Sequence, residues 1–165
     1  MRSEDAFNEF VAARGAALMR TAYLLTGDAH LAEDLVQTAL FQAARRWDGI
    51  RESPEAYVRR IMYTQNVSRW RRKRVHEVAL ESQDGPAASA DVDLALSLAD
   101  ALRRLSRRQR TVLVLRYYDD LTETQTAEAL GIAVGTVKST ARDALQRLRA
   151  LAPELAELTH SGGWS

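Results

Sequence analysis

The chain has 165 residues, 46% of them apolar and none of them cysteine, which suffices for one domain or two small ones and excludes disulfides and thiolate metal sites. No apolar run approaches the roughly 18 residues of a membrane span, and the opening MRSEDAFNEF lacks a signal-peptide stretch, so a soluble cytoplasmic protein is expected. The net charge of +1 hides an uneven distribution: residues 1–76 carry 13 bases and 9 acids, residues 77–93 five acids and no base, and the remainder 10 bases and 8 acids.

Residues 5–25 place Phe7, Phe10, Val11, Leu18, Ala22 and Leu25 on one stripe at helical spacing. Gly27 and Asp28 close that helix and open the next. From Leu31 to Trp47 a second helix gathers Leu31, Leu35, Val36, Leu40, Ala43 and Trp47 on a wide apolar face. Asp34, Gln37 and Phe41 then fall together on a different face. The loop DGIRES ends in a start signal: Ser53 as N-cap, Pro54 at the first helical position and Glu55 in the first turn.

The third helix runs to about His76 and has no acid from Ala56 onward, yet it contains Arg59, Arg60, Arg69, Arg71, Arg72, Lys73 and Arg74. Like charges three and four apart destabilise a helix. A solvated polar face is one outcome for such a run. A polyanion partner is the other, and Tyr57, Tyr63 and Trp70, interleaved with the cations, offer stacking surfaces for unpaired bases. The absence of any compensating acid favours nucleic-acid contact.

Residues 77–93, EVALESQDGPAASADVD, mix acids with Gly85-Pro86 and small residues, which is the chemistry of a flexible linker. Fully extended, this segment spans at most roughly 56–61 Å. Two modules so joined could reach DNA sites more than one helical turn apart, a turn being about 34–36 Å. The second block opens with Leu94, Leu98, Ala101, Leu102 and Leu105 on a helical stripe. Ser106 and Gln109 have the spacing of a capping box for a helix through Val112, Leu115 and Tyr118, and Arg103 to Arg116 holds six arginines and no acid. Asp119-Asp120 breaks the pattern.

Residues 121–148 follow, reading LTETQTAEALGIAVGTVKSTARDALQRL. Thr122 and Gln125 form another capping box, a short helix runs to Leu130, and Gly131 supplies the positive φ that stops it. From about Val134 a longer helix carries Val137, Ala141, Ala144, Leu148 and Leu151 on one face, with Lys138, Ser139, Thr140 and Arg142 on the others. Short helix, glycine turn and second helix with an apolar back and polar front is the geometry of a DNA-reading helix-turn-helix. An ordinary αα-hairpin packed into a bundle has the same pattern. Pro153 stops the last helix, and the tail is expected to fray. No strand-like alternation competes, so the chain reads as all-α. His30, His76 and His160 are too far apart in sequence to suggest a metal site, and no Ser/His/Asp set, phosphate loop or carboxylate dyad is present. Neither catalysis nor a cofactor is expected.

The order of these pieces resembles a bacterial RNA polymerase sigma factor of the extracytoplasmic-function (group IV) type in the sigma-70 family, most of all the actinobacterial sigma-E-like subfamily. Asp34-Leu35-Val36-Gln37, with Phe41, Ala44 and Trp47 after it, is similar to the polymerase-contacting helix of the sigma-2 domain. Pro54-Glu55-Ala56-Tyr57-Val58-Arg59-Arg60-Ile61, with Asn66 and the Arg69–Arg74 cluster, resembles the segment that recognises and opens the −10 element. Leu105 to Tyr117 and the run Gly131…Gly135-Thr136-Val137-Lys138-Ser139 look like the sigma-4 domain and its −35-reading hairpin. The resemblance covers residues 5–152.

It implies two small helical domains: sigma-2-like over 1–76 and sigma-4-like over 94–152, joined by the flexible acidic linker 77–93 and followed by a tail over 153–165. Asp34, Leu35, Gln37 and Phe41 would contact core polymerase. Tyr57, Arg59, Arg60, Tyr63, Asn66, Arg69, Trp70, Arg72 and Lys73 would bind −10 DNA, and Thr136, Lys138, Ser139, Thr140 and Arg142 would bind −35 DNA. The implied partners are the β and β′ subunits, double-stranded promoter DNA, the unpaired non-template −10 strand and an anti-sigma protein. Nothing suggests a homo-oligomer. Trp47 continues an apolar stripe and suits the core better than a stacking platform.

Four positions depart from the family pattern, the first being Gln125 where an acid is usual. Thr126 stands in an apolar slot, where a buried hydroxyl costs energy unless bonded. Thr140 replaces a frequent Arg. Asp143 stands where Arg is common; it could accept from a cytosine amino group or pair with Arg147 at i+4, and the pair is favoured. The rival reading is a stand-alone helix-turn-helix regulator that uses residues 1–76 to dimerise or sense a ligand. A helical scaffold with no DNA role is a weaker third.

Overall fold

Apolar residues at helical spacing and few breakers leave this chain little alternative to helix, and every regular element in the computed structural model is helical. The structure describes residues 4–77 and 98–153; for residues 70–77 it describes the backbone alone. The expectations for the connector from residue 78 on, for Leu94 and for the tail from residue 154 lie outside the described residues. The chain divides into two compact units, Met1–Arg71 and Arg72–Ser165, with the boundary inside the third helix.

In the first unit α1 (Glu4–Thr26) turns into α2 (Ala29–Arg45) through two residues. Gly27 takes a φ of 68°, where a Cβ would be strained, and its amide donates to the Tyr23 carbonyl over 2.8 Å. The Leu31 amide donates to Asp28 Oδ1 over 2.9 Å, so Asp28 is the N-cap of α2. After a 3₁₀ turn over Trp47–Gly49, α3 (Pro54–Glu77) starts where the Ser53-Pro54 signal places it, with the Ala56 amide 3.5 Å from Ser53 Oγ.

Leu18, Ala22 and Leu25 of α1, Leu35 and Val36 of α2, and Val58, Met62, Tyr63 and Val67 of α3 form the core. One part of the predicted α2 face is wrong. Leu31 is 48% exposed, and the buried stripe runs instead through Ala32, Leu35, Val36, Ala39 and Ala43, whose three alanines let α1 pack closely. Trp47 does not extend α2: it lies in the 3₁₀ turn and packs on Phe7, edge-on at 5.1 Å between ring centroids, and on Phe10 at 5.4 Å. It is a core residue.

The second unit comprises α4 (Leu98–Arg103), α5 (Arg107–Leu113), α6 (Glu123–Leu130) and α7 (Val134–Leu151). Both capping boxes form. The Gln109 amide donates to Ser106 Oγ over 3.2 Å and the Ser106 amide to Gln109 Oε1 over 3.3 Å. At α6 the corresponding Thr122–Gln125 bonds are 3.0 and 2.9 Å. Helix α5 continues into a π turn over Val114–Tyr118 that sequence periodicity does not reveal. There the Asp119 amide donates to the Val114 carbonyl over 2.9 Å, and the Arg116 guanidinium donates to the Leu121 carbonyl. Asp120 then adopts a φ of 56°, a left-handed conformation that Asp tolerates better than most residues. Residues 111–115 are all buried, so this segment is the centre of its unit, while Leu98 at its rim is 45% exposed.

Between α6 and α7 Gly131 stands at φ 65°, ψ 38°, and the Ile132 amide reaches back to the Ala127 carbonyl over 3.1 Å. Val137, Ala141, Ala144 and Leu148 of α7 are buried, as are Ala127 and Leu130 of α6. Thr126 is fully buried beside them, and its Oγ1 has no hydrogen-bond partner. An unsatisfied buried polar group costs about 1–3 kcal/mol. Thr126→Val keeps the shape and removes the hydroxyl, so we expect the second unit to gain about 1 kcal/mol in urea unfolding; an unchanged or lower midpoint would contradict the strained hydroxyl.

Candidate nucleic-acid interface

The outward side of α7 carries the residues expected to read duplex DNA. Lys138 and Arg142 project into solvent, with side chains 64% and 79% exposed, while Thr136, Ser139 and Thr140 are half-buried between them and the apolar back. The first turn of α7 starts at Ala133, which supplies no side-chain cap, and a Cβ built on Gly135 would meet nothing within 4 Å. Open amides at a helix start and a bare first turn suit the approach of a phosphate. Ser139 Oγ donates to the Thr136 carbonyl over 3.2 Å, which leaves it as an acceptor toward solvent. Lys138 Nζ lies 3.6 Å from Glu123 Oε2. Asp143 does not pair with Arg147; its carboxylate lies 3.9 Å from Arg142 Nε, a loose contact between two exposed groups.

The basic α3 helix differs from its sequence reading. Between Glu55 and Glu77 it has no acid of its own, and its arginines pair with Glu55 of its first turn and with acids from other segments. Arg59 Nε and Nη2 both donate to Glu55 Oε1, at 3.1 and 2.9 Å, and Nη1 donates to Thr21 Oγ1 at 2.5 Å. Arg14 Nε of α1 reaches Glu55 Oε2 over 3.3 Å, so one carboxylate ties α1 to α3. With its side chain 18% exposed and bonded to Glu55 and Thr21, Arg59 serves as a strut between helices. Tyr63, 4% exposed, is likewise a core residue and offers no stacking face. Arg60 pairs with Glu52 at the surface, and Arg69 Nη2 donates to Asp34 Oδ2 over 2.7 Å. Tyr57 and Asn66 are half-buried; the side chains of Trp70, Arg72 and Lys73 lie outside the described residues.

On α2, Asp34 and Gln37 are exposed and Phe41 is 66% exposed, a large cost for an aromatic ring without a covering partner. Leu35 is 0% exposed and belongs to the core, where it holds the helix, while Leu31 is exposed beside Asp34. Spacings of three, seven and ten residues put Leu31, Asp34, Thr38 and Phe41 on one exposed face, which is the face that assigning Leu31 to the core concealed. Of the missed counterions only Glu55 had a readable signal, its i,i+4 spacing to Arg59. Glu52 and Asp34 become partners through tertiary packing. Among the described residues no group of three His, Asp or Glu could hold a metal ion.

Residues 10–75 match the family description Sigma-70 region 2, and residues 95–148 match Sigma-70, region 4. A protein named RNA polymerase sigma-E factor from Streptomyces avermitilis is 43% identical over 151 residues, covering 87% of this chain and 83% of that protein. The ECF RNA polymerase sigma factor SigL of Mycobacterium tuberculosis is 35% identical over 150 residues, covering 85% of each. Among solved structures, the sigma factor RpoE of Bartonella quintana, in complex with the anti-sigma factor NepR, superposes with a TM-score of 0.64 at 26% identity, covering 88% of this chain and 95% of that one.

The different surroundings of two adjacent arginines give a direct check. Arg59→Gln is expected to lower stability by roughly 2 kcal/mol, because it leaves Glu55 and Thr21 short of their shared donor. Arg60→Gln should stay within about 0.5 kcal/mol of the parent. Equal urea midpoints for the two variants would show that Arg59 is not a strut.

Proposed function

The chain belongs to the sigma-70 family of RNA polymerase sigma factors, and we infer from that membership how its surfaces divide the work of promoter recognition. As a sigma factor it binds core polymerase and directs promoter-specific initiation. What carries this conclusion is the presence of a region 2 and a region 4 match, in that order, in one chain. The stand-alone regulator, which the hairpin alone would also fit, loses its support because residues 10–75 match a sigma module and not a dimerisation or ligand domain.

We assign residues 1–76 to polymerase and −10 contact, 77–93 to a connector, 94–152 to −35 contact and 153–165 to a tail. In the second module Lys138 and Arg142, with the first amides of α7, hold phosphates, while Thr136, Ser139 and Thr140 face the groove. In the first module Tyr57, Arg60, Asn66 and Arg69, continued by Trp70, Arg72 and Lys73, take the −10 DNA. Arg59 and Tyr63 hold the helix that presents them. Bases captured after leaving the stack offset the cost of unpairing, so this subunit favours the open strand without chemistry of its own. The bond-forming step belongs to the core enzyme.

The exposed Leu31–Asp34–Gln37–Phe41 surface is the proposed seat for the β′ subunit, with Phe41 as an apolar anchor and Asp34 as its charged neighbour. The second module contributes the contact to β. One similar solved structure holds the sigma factor RpoE in complex with the anti-sigma factor NepR. An anti-sigma protein that covers both modules is therefore a partner we propose for this chain, with no homo-oligomer. No helix among the described residues is long and apolar enough to cross a membrane, and we place the chain in the cytoplasm with the polymerase.

The test is run-off transcription with purified core polymerase on a promoter library. Promoter-dependent transcripts are expected; none, together with tight sequence-specific duplex binding in the absence of polymerase, would return the chain to the regulator class. In the same system the pair Asp34→Lys and Phe41→Ala should each lower polymerase affinity about tenfold or more. Lys138→Ala should reduce the slope of log affinity against log salt for −35 DNA by about 1.

A further inference from the structure

Each α3 arginine whose side chain is described has an acidic partner: Arg59 has Glu55, Arg60 has Glu52 and Arg69 has Asp34. The first two pairs lie within one block of sequence around the start of α3. The third does not. It joins α3 to α2 across 35 residues of sequence, at 2.7 Å, and its two members belong to different proposed surfaces. Asp34 sits beside the exposed Leu31 and Phe41, on the face assigned to polymerase, with a side chain 64% exposed. Arg69 opens the basic stretch of α3 assigned to −10 DNA and is 29% exposed, its guanidinium held back against α2.

We propose that the Asp34–Arg69 ion pair couples these two surfaces, holding Arg69 away from DNA in the free subunit and releasing it when polymerase takes Asp34. This rests on the assignment of the two surfaces above. A cation from polymerase placed against Asp34 competes with Arg69 for one carboxylate, and a phosphate placed against Arg69 competes with Asp34 for one guanidinium. Whichever partner arrives first breaks the pair, and the second then binds without that cost. The coupling is reciprocal by linkage: polymerase raises affinity for DNA by the same factor as DNA raises affinity for polymerase. Its size is bounded by the strength of the pair. Partly exposed ion pairs contribute little, so the factor lies at about 2- to 5-fold. That is a bias toward DNA binding in the assembled enzyme, not an absolute lock.

The full-length chain tests this with two charge-removing variants and two equilibrium titrations, one against a short mixed-sequence single-stranded oligonucleotide and one against core polymerase. Asp34→Asn should bind the oligonucleotide about 2- to 5-fold more tightly than the parent, while its polymerase affinity falls. Arg69→Gln should bind polymerase about 2- to 5-fold more tightly, while its oligonucleotide affinity falls. In the Arg69→Gln background, Asp34→Asn should give no gain in DNA affinity, and unchanged thermal midpoints for all three proteins exclude a general loosening as the source of the effect. If Asp34→Asn weakens polymerase binding but leaves oligonucleotide affinity unchanged, the coupling is overturned and the surface assignment stands. If Asp34→Asn leaves polymerase binding unchanged, or Arg69→Gln leaves oligonucleotide binding unchanged, the surface assignment itself is overturned.

Discussion

The first unit depends on how α3 is neutralised. A helix that buries Val58, Met62, Tyr63 and Val67 must pack closely on its neighbours, and a helix dense in arginine resists doing so unless its charges find partners. The partners come from outside the run: Glu55 from the first turn, Glu52 from the loop before it and Asp34 from α2. Glu55 has the largest part, since it receives Arg14 as well as Arg59 and so binds α1 and α3 through one carboxylate. The described part of α3 therefore turns its cations partly to structure.

The second unit is specified differently. Its hairpin is fixed by local backbone chemistry: a reciprocal capping box at Thr122 and Gln125, a left-handed Gly131, and a back-bond from Ile132 to Ala127. These satisfy helix-end groups that would otherwise need water, and they set the angle at which α7 leaves α6. Tertiary packing supplies the rest through Val137, Ala141, Ala144 and Leu148. The unpartnered Thr126 hydroxyl is the place where this scheme is imperfect. It is buried within α6, the first helix of the hairpin, beside Ala127. The π turn at Val114–Tyr118 is the counterpart on the other side of α6, an irregular stretch that redirects the chain before the hairpin begins.

Function divides along the same line. The surface proposed for −35 DNA rests on a locally specified element whose exposed cations, Lys138 and Arg142, follow directly from the helical period. The surfaces proposed for polymerase and −10 DNA rest on tertiary arrangement. Leu31 and Phe41 form one exposed face only because Ala32 and Ala39 take the buried positions on α2. Asp34 pairs with Arg69 across α2 and α3, between those two proposed surfaces.

The sequence by itself determined the all-helical class, both capping boxes, the glycine and aspartate turns, the Ser53-Pro54 start and the apolar back of α7. All of these are short-range, since period, cap and turn are set by residues within a few positions of one another. The family resemblance, and not the period, marked Thr126 as standing in an apolar slot, and the structure buries it. Only the tertiary structure decided that Leu31 is outside, that Tyr63 and Arg59 serve the core, that Asp143 leans toward Arg142, and that α5 ends in a π turn. An apolar stripe read along one helix is ambiguous by about one residue on either side. Which edge is buried depends on the neighbouring helix, and which acid meets which arginine depends on segments far apart in the chain.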